Sequence, residues 1–173
     1  MLTRIPETEV YFGSSDERTY DAIERKGIET IFVIYEGALR LLKESGKLKN
    51  VKVEKLPSPY LPNVLPEECE QAIKTIKNTS GKIVFLCHSG THVSPNWATT
   101  ALRLRGMPDR EIIKKFRQMG RDEKWIKLTM RESIDFRKQI KKNAFLRKLK
   151  RIAAKIKLQK STKKKYIIKR HKK

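Results

Sequence analysis

Along the first ninety positions, short runs of β-branched and aromatic residues alternate with segments whose apolar residues recur every three or four positions. That alternation is the pattern of a mostly parallel sheet covered by helices. Strands are predicted at Glu9–Gly13, Thr30–Tyr35, Val51–Leu56 and Lys82–Cys87. The run Ile83-Val84-Phe85-Leu86 is continuously apolar, as a strand buried on both faces should be, and marks the central strand. Helices are predicted at Asp16–Lys26, closed by Gly27, at Gly37–Leu48, and at Pro66–Lys77. The third begins with Pro66 at the first helical position and with Glu67 and Glu68 where a helix N-terminus favours acids.

After the central strand the chain reads Cys87-His88-Ser89-Gly90-Thr91-His92-Val93-Ser94-Pro95. Ser94 is expected to cap a helix over Asn96–Leu104, with Pro95 as its first helical residue and Trp97, Ala101 and Leu104 on one face. A strand, a glycine-containing loop and a helix N-terminus in series form a concavity of N–H groups suited to an anion. A short helix at Asp109–Gln118 follows, then a longer one from Asp122 whose pattern continues past Phe136. In the tail, Phe145, Leu149, Ile152 and Ile156 form an apolar stripe on an otherwise cationic helix.

The charge changes the picture more than the composition does. The 173 residues carry 41 Lys plus Arg and 19 Asp plus Glu, a formal net charge of +22. Residues 1–102 hold 13 of each sign, whereas residues 103–173 hold 28 cations and 6 acids. The pattern therefore divides into a domain at 1–136 and a basic helical extension at 137–173. No stretch approaches the roughly 18–20 apolar residues of a membrane span, and the beginning lacks the apolar core of a signal peptide. Cys69 and Cys87 are too few for a disulfide framework and lack paired zinc spacing, which suits a reducing, cytoplasmic setting. No cofactor and no metal are expected.

The loop resembles that of the cysteine-dependent protein phosphatases, especially the small dual-specificity type, whose motif is His-Cys-x-x-Gly-x-x-Arg-Ser/Thr. Cys87 falls on the nucleophile, Gly90 on the glycine and Ser94 on the hydroxyl residue. Val10-Tyr11-Phe12-Gly13 is similar to the family's opening strand, Lys26-Gly27-Ile28-Glu29-Thr30 to its first helix-to-strand turn, and Arg105-Gly106-Met107 to the end of the helix behind the loop. The resemblance spans about residues 8–136 and implies a three-layer α/β domain with a central, mostly parallel sheet of four or five strands flanked by helices.

Three catalytic positions depart from the family. The arginine that clamps two phosphate oxygens is Val93, and the histidine before the cysteine is Leu86. Losing two charge-assisted hydrogen bonds of roughly 1.5–3 kcal/mol each reduces transition-state stabilisation by about 10² to 10⁴. The leaving-group acid is also absent, because no carboxylate lies between Glu54 and Glu67. The resemblance together with these losses implies a pseudophosphatase in which Cys87 is vestigial. Other readings stay open: Cys87 as a nucleophile with His88 or His92 as base, and Cys87, His88, Ser89, Gly90, Thr91, His92, Val93 and Ser94 as an anion-binding loop. A metal held by Cys87, His88 and His92 lacks a fourth ligand. Trp97 and Trp125 read as core anchors, and Cys69 as a packing residue.

The tail points to a polyanion. Its 18 cations are Arg137, Lys138, Lys141, Lys142, Arg147, Lys148, Lys150, Arg151, Lys155, Lys157, Lys160, Lys163, Lys164, Lys165, Lys169, Arg170, Lys172 and Lys173, with no acid among them. RNA, in particular ribosomal RNA within a ribonucleoprotein together with its proteins, is the expected partner, bound by phosphate contacts and counterion release. Arg103, Arg105, Arg110, Lys114, Lys115, Arg117, Arg121, Lys124 and Lys127 extend the basic character into the body. The rivals are a residual phosphatase acting on RNA ends or phosphoproteins, and a phosphoprotein- or membrane-surface adaptor; the charge continuing beyond the apolar stripe disfavours the membrane.

Overall fold

The computed structural model describes residues 1–58 and 66–133. Five strands, β1 (Leu2–Arg4), β2 (Val10–Ser14), β3 (Thr30–Ile34), β4 (Lys52–Leu56) and β5 (Ile83–Cys87), form one sheet in the order β1-β2-β5-β3-β4. β1 is antiparallel to β2 and every other pairing is parallel, so the mostly parallel sheet is as expected. β5 lies at its centre, and β3 and β5 are buried along their whole length, which explains their uninterrupted apolar runs. Phe32 and Phe85 stack across these two strands with ring centroids 5.0 Å apart.

Helices cover both faces. Alternate residues of β5 point to opposite sides. Val84 and Leu86 pack with α1 (Glu17–Arg25) and α2 (Glu36–Glu44), whereas Ile83, Phe85 and Cys87 face α4 (Val93–Leu104) and α5 (Asp109–Gln118). α3 (Pro66–Lys77) and a sixth helix, α6 at 123–133, complete the second layer. The side chain of Asp16 caps α1, accepting from the Thr19 N–H at 2.8 Å, and that of Asp122 caps α6, accepting from the Trp125 N–H at 2.8 Å.

Some boundaries differ from the sequence expectation. β1 has only three residues, too few to show a two-residue period. It is held by pairing with β2 and by Thr8, whose hydroxyl donates to Ile5 O at 2.8 Å while accepting from the Val10 N–H at 3.1 Å. α2 ends at Glu44 rather than Leu48, because the Ser45 hydroxyl donates to Leu42 O at 2.6 Å and the chain turns, returning Leu48 to the core from the loop. α4 starts at Val93, so Ser94 is an internal helical residue and not the cap; the N-cap is His92, without a side-chain capping bond. Among the described residues no helix is long and apolar enough to cross a membrane. The predicted extension at 137–173 and the continuation of the last helix past Phe136 lie outside the described residues.

Candidate active-site loop

The loop at residues 88–92 leaves the C-terminal end of β5 and enters α4, at the edge where open parallel sheets gather their binding sites. It is clamped to the end of β2. Ser15 N–H donates to Cys87 O at 3.0 Å, and Gly90 adopts φ +71 pressed against the neighbouring backbone. A Cβ at position 90 would lie 2.6 Å from Ser14 N and 2.7 Å from Gly13 C, so only glycine closes the loop there.

Cys87 sits under this turn, 2% exposed. Its Sγ accepts from the Gly90 N–H at 3.2 Å and lies 3.3 Å from Ser94 Oγ, inside the first turn of α4. The sulfur thus accepts from a loop amide while its thiol donates to the Ser94 hydroxyl oxygen, which ties the end of β5 to the loop and to the start of α4. His88, Ser89, Thr91 and His92 are exposed, and Ser89 and Thr91 share a hydroxyl hydrogen bond of 2.8 Å. Among the described residues no group of three His, Cys, Asp or Glu side chains is placed to hold a metal ion.

Two of the departed positions are explained by burial. Val93 is 7% exposed and belongs to the cluster that contains Trp97, so the side chain at the family's arginine position packs into the core. Leu86 is fully buried on the opposite face of β5, in the α1–α2 layer. Of the stretch between Glu54 and Glu67 that lacks the leaving-group acid, residues 59–65 lie outside the described residues.

Trp97 is a core anchor as expected, 1% exposed. Trp125 is half-buried and does more than pack. Its indole N–H donates to Thr91 O at 3.3 Å, its ring meets Phe116 edge-on at 5.1 Å, and the Arg121 guanidinium lies 4.8 Å from its centroid. Arg121 also lies 5.8 Å from the Phe12 ring. This brace between α6 and the loop was missed from sequence, although the four-residue spacing of Arg121 and Trp125 put the pair on one side of the chain. Cys69 is 1% exposed, and its thiol is pushed up to about 11, first by burial and then by the charge of Glu68. It is a packing thiol.

The basic cluster of residues 103–127 divides. Arg103 grips Asp109 with Nε at 2.7 Å and Nη2 at 3.1 Å and also reaches Ser133 Oγ and Met130 O, so it ties α4, α5 and α6 together. Lys115 is 3% exposed and bonds Glu7 at 2.8 Å. These two are internal braces, so the basic character read from their spacing is spent inside the domain at these positions. Arg105, Arg110, Lys114, Arg117, Lys124 and Lys127 are exposed. The tail cations, from Arg137 to Lys173, lie outside the described residues.

Among solved structures, Tk-PTP in its active form is 20% identical with a TM-score of 0.50, the match covering 79% of this chain and 93% of that one. A mutant form of Tk-PTP gives 19% identity and a TM-score of 0.51 over 84% and 97% of the two chains. The chain has the fold of the cysteine-dependent protein phosphatases. A further similar structure is the core catalytic domain of the PP-IP phosphatase SIW14 from S. cerevisiae, 16% identical with a TM-score of 0.47 over 75% of this chain and 83% of that one. At these identities the likeness is one of fold. No protein-family model and no curated protein sequence matches the chain.

Proposed function

We propose that this phosphatase-fold protein does not catalyse phosphoryl transfer and binds RNA through its basic C-terminal third, within a ribosome or another ribonucleoprotein. The observation that carries the first half is the burial of Val93, which leaves a core methyl pair where the fold's chemistry calls for a guanidinium. The second half rests on the charge, with the whole of +22 in residues 103–173. Lysine and arginine without intervening acids bind phosphate backbones through counterion release, with no need for base-specific contacts.

Filter binding of structured RNA across a salt series tests the reading. Affinity should fall steeply with salt and be lost on deletion of residues 137–173; affinity indifferent to either would overturn it. Co-sedimentation with ribosomes in a low-salt lysate tests the assembly.

A second reading is favoured by the geometry at Cys87, whose sulfur keeps the Gly90 amide and the Ser94 hydroxyl. Under it, the Cys87 sulfur, its proton passed to water, attacks the phosphorus of a phosphate monoester on an RNA end or a phosphoprotein; the P–O bond to the alcohol breaks, the alcohol leaves with a proton from water, and a second water hydrolyses the S–P bond to release phosphate and restore the thiol. Turnover of a small aryl phosphate that disappears in Cys87→Ser would favour this reading over the first.

A further inference from the structure

We propose that the free edge of β4, with the groove between that strand and α2, docks an extended acidic peptide segment of a partner protein as an added strand. β4 is last in the sheet, and among the described residues it pairs with β3 alone. Lys52 N–H donates to Glu29 O at 3.1 Å. By strand alternation the backbone groups of Lys52, Glu54 and Leu56 then face β3, and those of Val53 and Lys55 face outward. An outward row of amide and carbonyl groups is a template for another strand.

The groove beside this edge has a volume of about 480 Å³. Leu39, Val51 and Val53 give it an apolar floor, and Lys43, Lys49 and Lys55 lie among the cations around it. Val53 is 38% exposed. No carboxylate lines the groove. Lys55 is paired with Glu36, but Lys43 and Lys49 make no ion pair among the described residues. A segment whose groove-facing positions, every second residue, are apolar at its centre and acidic at its ends fits all three features: strand hydrogen bonds along Val53 and Lys55, apolar side chains on the floor, carboxylates at the lysines on that same face. The chain's own residues 137–173 do not suit it, since 18 cations without an acid would be repelled. An RNA strand would leave the apolar floor and the edge amides unused.

The test uses the full chain and a fluorescein-labelled nine-residue peptide, Glu-Thr-Val-Thr-Val-Thr-Val-Thr-Glu, whose Glu and Val side chains share one face of a strand, followed by fluorescence anisotropy and by amide hydrogen exchange. Saturable binding is expected, with at least tenfold slower exchange of the Val53 and Lys55 amides and at least tenfold weaker binding in the Lys43→Glu/Lys49→Glu double variant. The same peptide with Lys at both Glu positions should not bind. The basic tail is common to wild type and variant, so their difference reports the groove. The proposal is overturned by absence of binding, by binding unchanged in the double variant, or by unprotected amides at 53 and 55. It is equally overturned if a single-stranded RNA, and not the peptide, loses affinity in the double variant, which would assign these lysines to an RNA face.

Discussion

Gly90→Ala offers the sharpest measure of how tightly the Cys87 loop is built into the sheet. Two costs add at this position. A non-glycine residue held at φ +71 costs roughly 1–2 kcal/mol. The new methyl would also approach the backbone of β2 to 2.6 Å at Ser14 N and 2.7 Å at Gly13 C, neither of which can rotate away. Forcing a methyl into packed surroundings costs typically about 1–3 kcal/mol, so the sum is about 2–5 kcal/mol. Gly106→Ala is the matched control, because Gly106 has φ +86 and nothing within 4 Å of the added Cβ. It should lose only the conformational part, about 1–2 kcal/mol, less the gain from a stiffer unfolded chain. Urea unfolding of wild type and both variants reads the difference directly. If the two losses agree within about 0.5 kcal/mol, the close contact between loop and β2 is not as described and the reasoning fails.

Arg103→Ala should destabilise the domain by about 2–4 kcal/mol, because it removes a bidentate charged bond to Asp109 and the links to α6. Hydrogen exchange should quicken across residues 123–133, and Arg103→Lys should recover little of the loss because an ammonium cannot make the fork. At Asp16, burial raises the carboxyl pKa, but hydrogen bonds led by those from the Ser14 hydroxyl and the Thr19 backbone N–H outweigh it, holding the group well below the ordinary 3.8. The folded-state pKa is depressed, so its stabilisation is full above the ordinary value and is lost as pH falls toward the folded one. Asp16→Ala should therefore cost about 1 kcal/mol of unfolding free energy at pH 7, and the gap to wild type should narrow in urea titrations below pH 4. Val93→Arg should lose about 1.5–3 kcal/mol from the apolar burial of this position. Aryl phosphate turnover should not appear in this variant; turnover without loss of stability would show that position 93 faces the loop mouth.

The parts of the fold readable from sequence were those in which a local pattern and its burial coincide. β3 and β5 are buried on both faces and therefore carry unbroken apolar runs, and α1 and α6 advertise their starts through Asp16 and Asp122. What failed to show depends on partners distant in sequence. β1 exists because it pairs with β2, α2 stops where the Ser45 hydroxyl competes for a helix carbonyl, and α4 starts early because Val93 and Ser94 have partners in the core and at Cys87. Likewise, a cation count cannot tell a solvated lysine from Lys115, which spans 108 positions to reach Glu7.

The same distinction bears on the Cys87 loop. Read as a string, the loop differs from the phosphatase motif at its arginine and its histidine, two separate departures. In three dimensions the residues at both positions are core residues on different faces of the sheet, Val93 with the Trp97 cluster and Leu86 with the α1–α2 layer. The sulfur, the Gly90 amide and the Ser94 hydroxyl are the parts that also close the loop and start α4. The parts gathered at the sulfur are thus ones the fold itself uses, and Val93 and Leu86 are core residues. A loop kept for folding alone, as the proposed non-catalytic reading requires, has these features, and Cys87 is accounted for by its place under the turn.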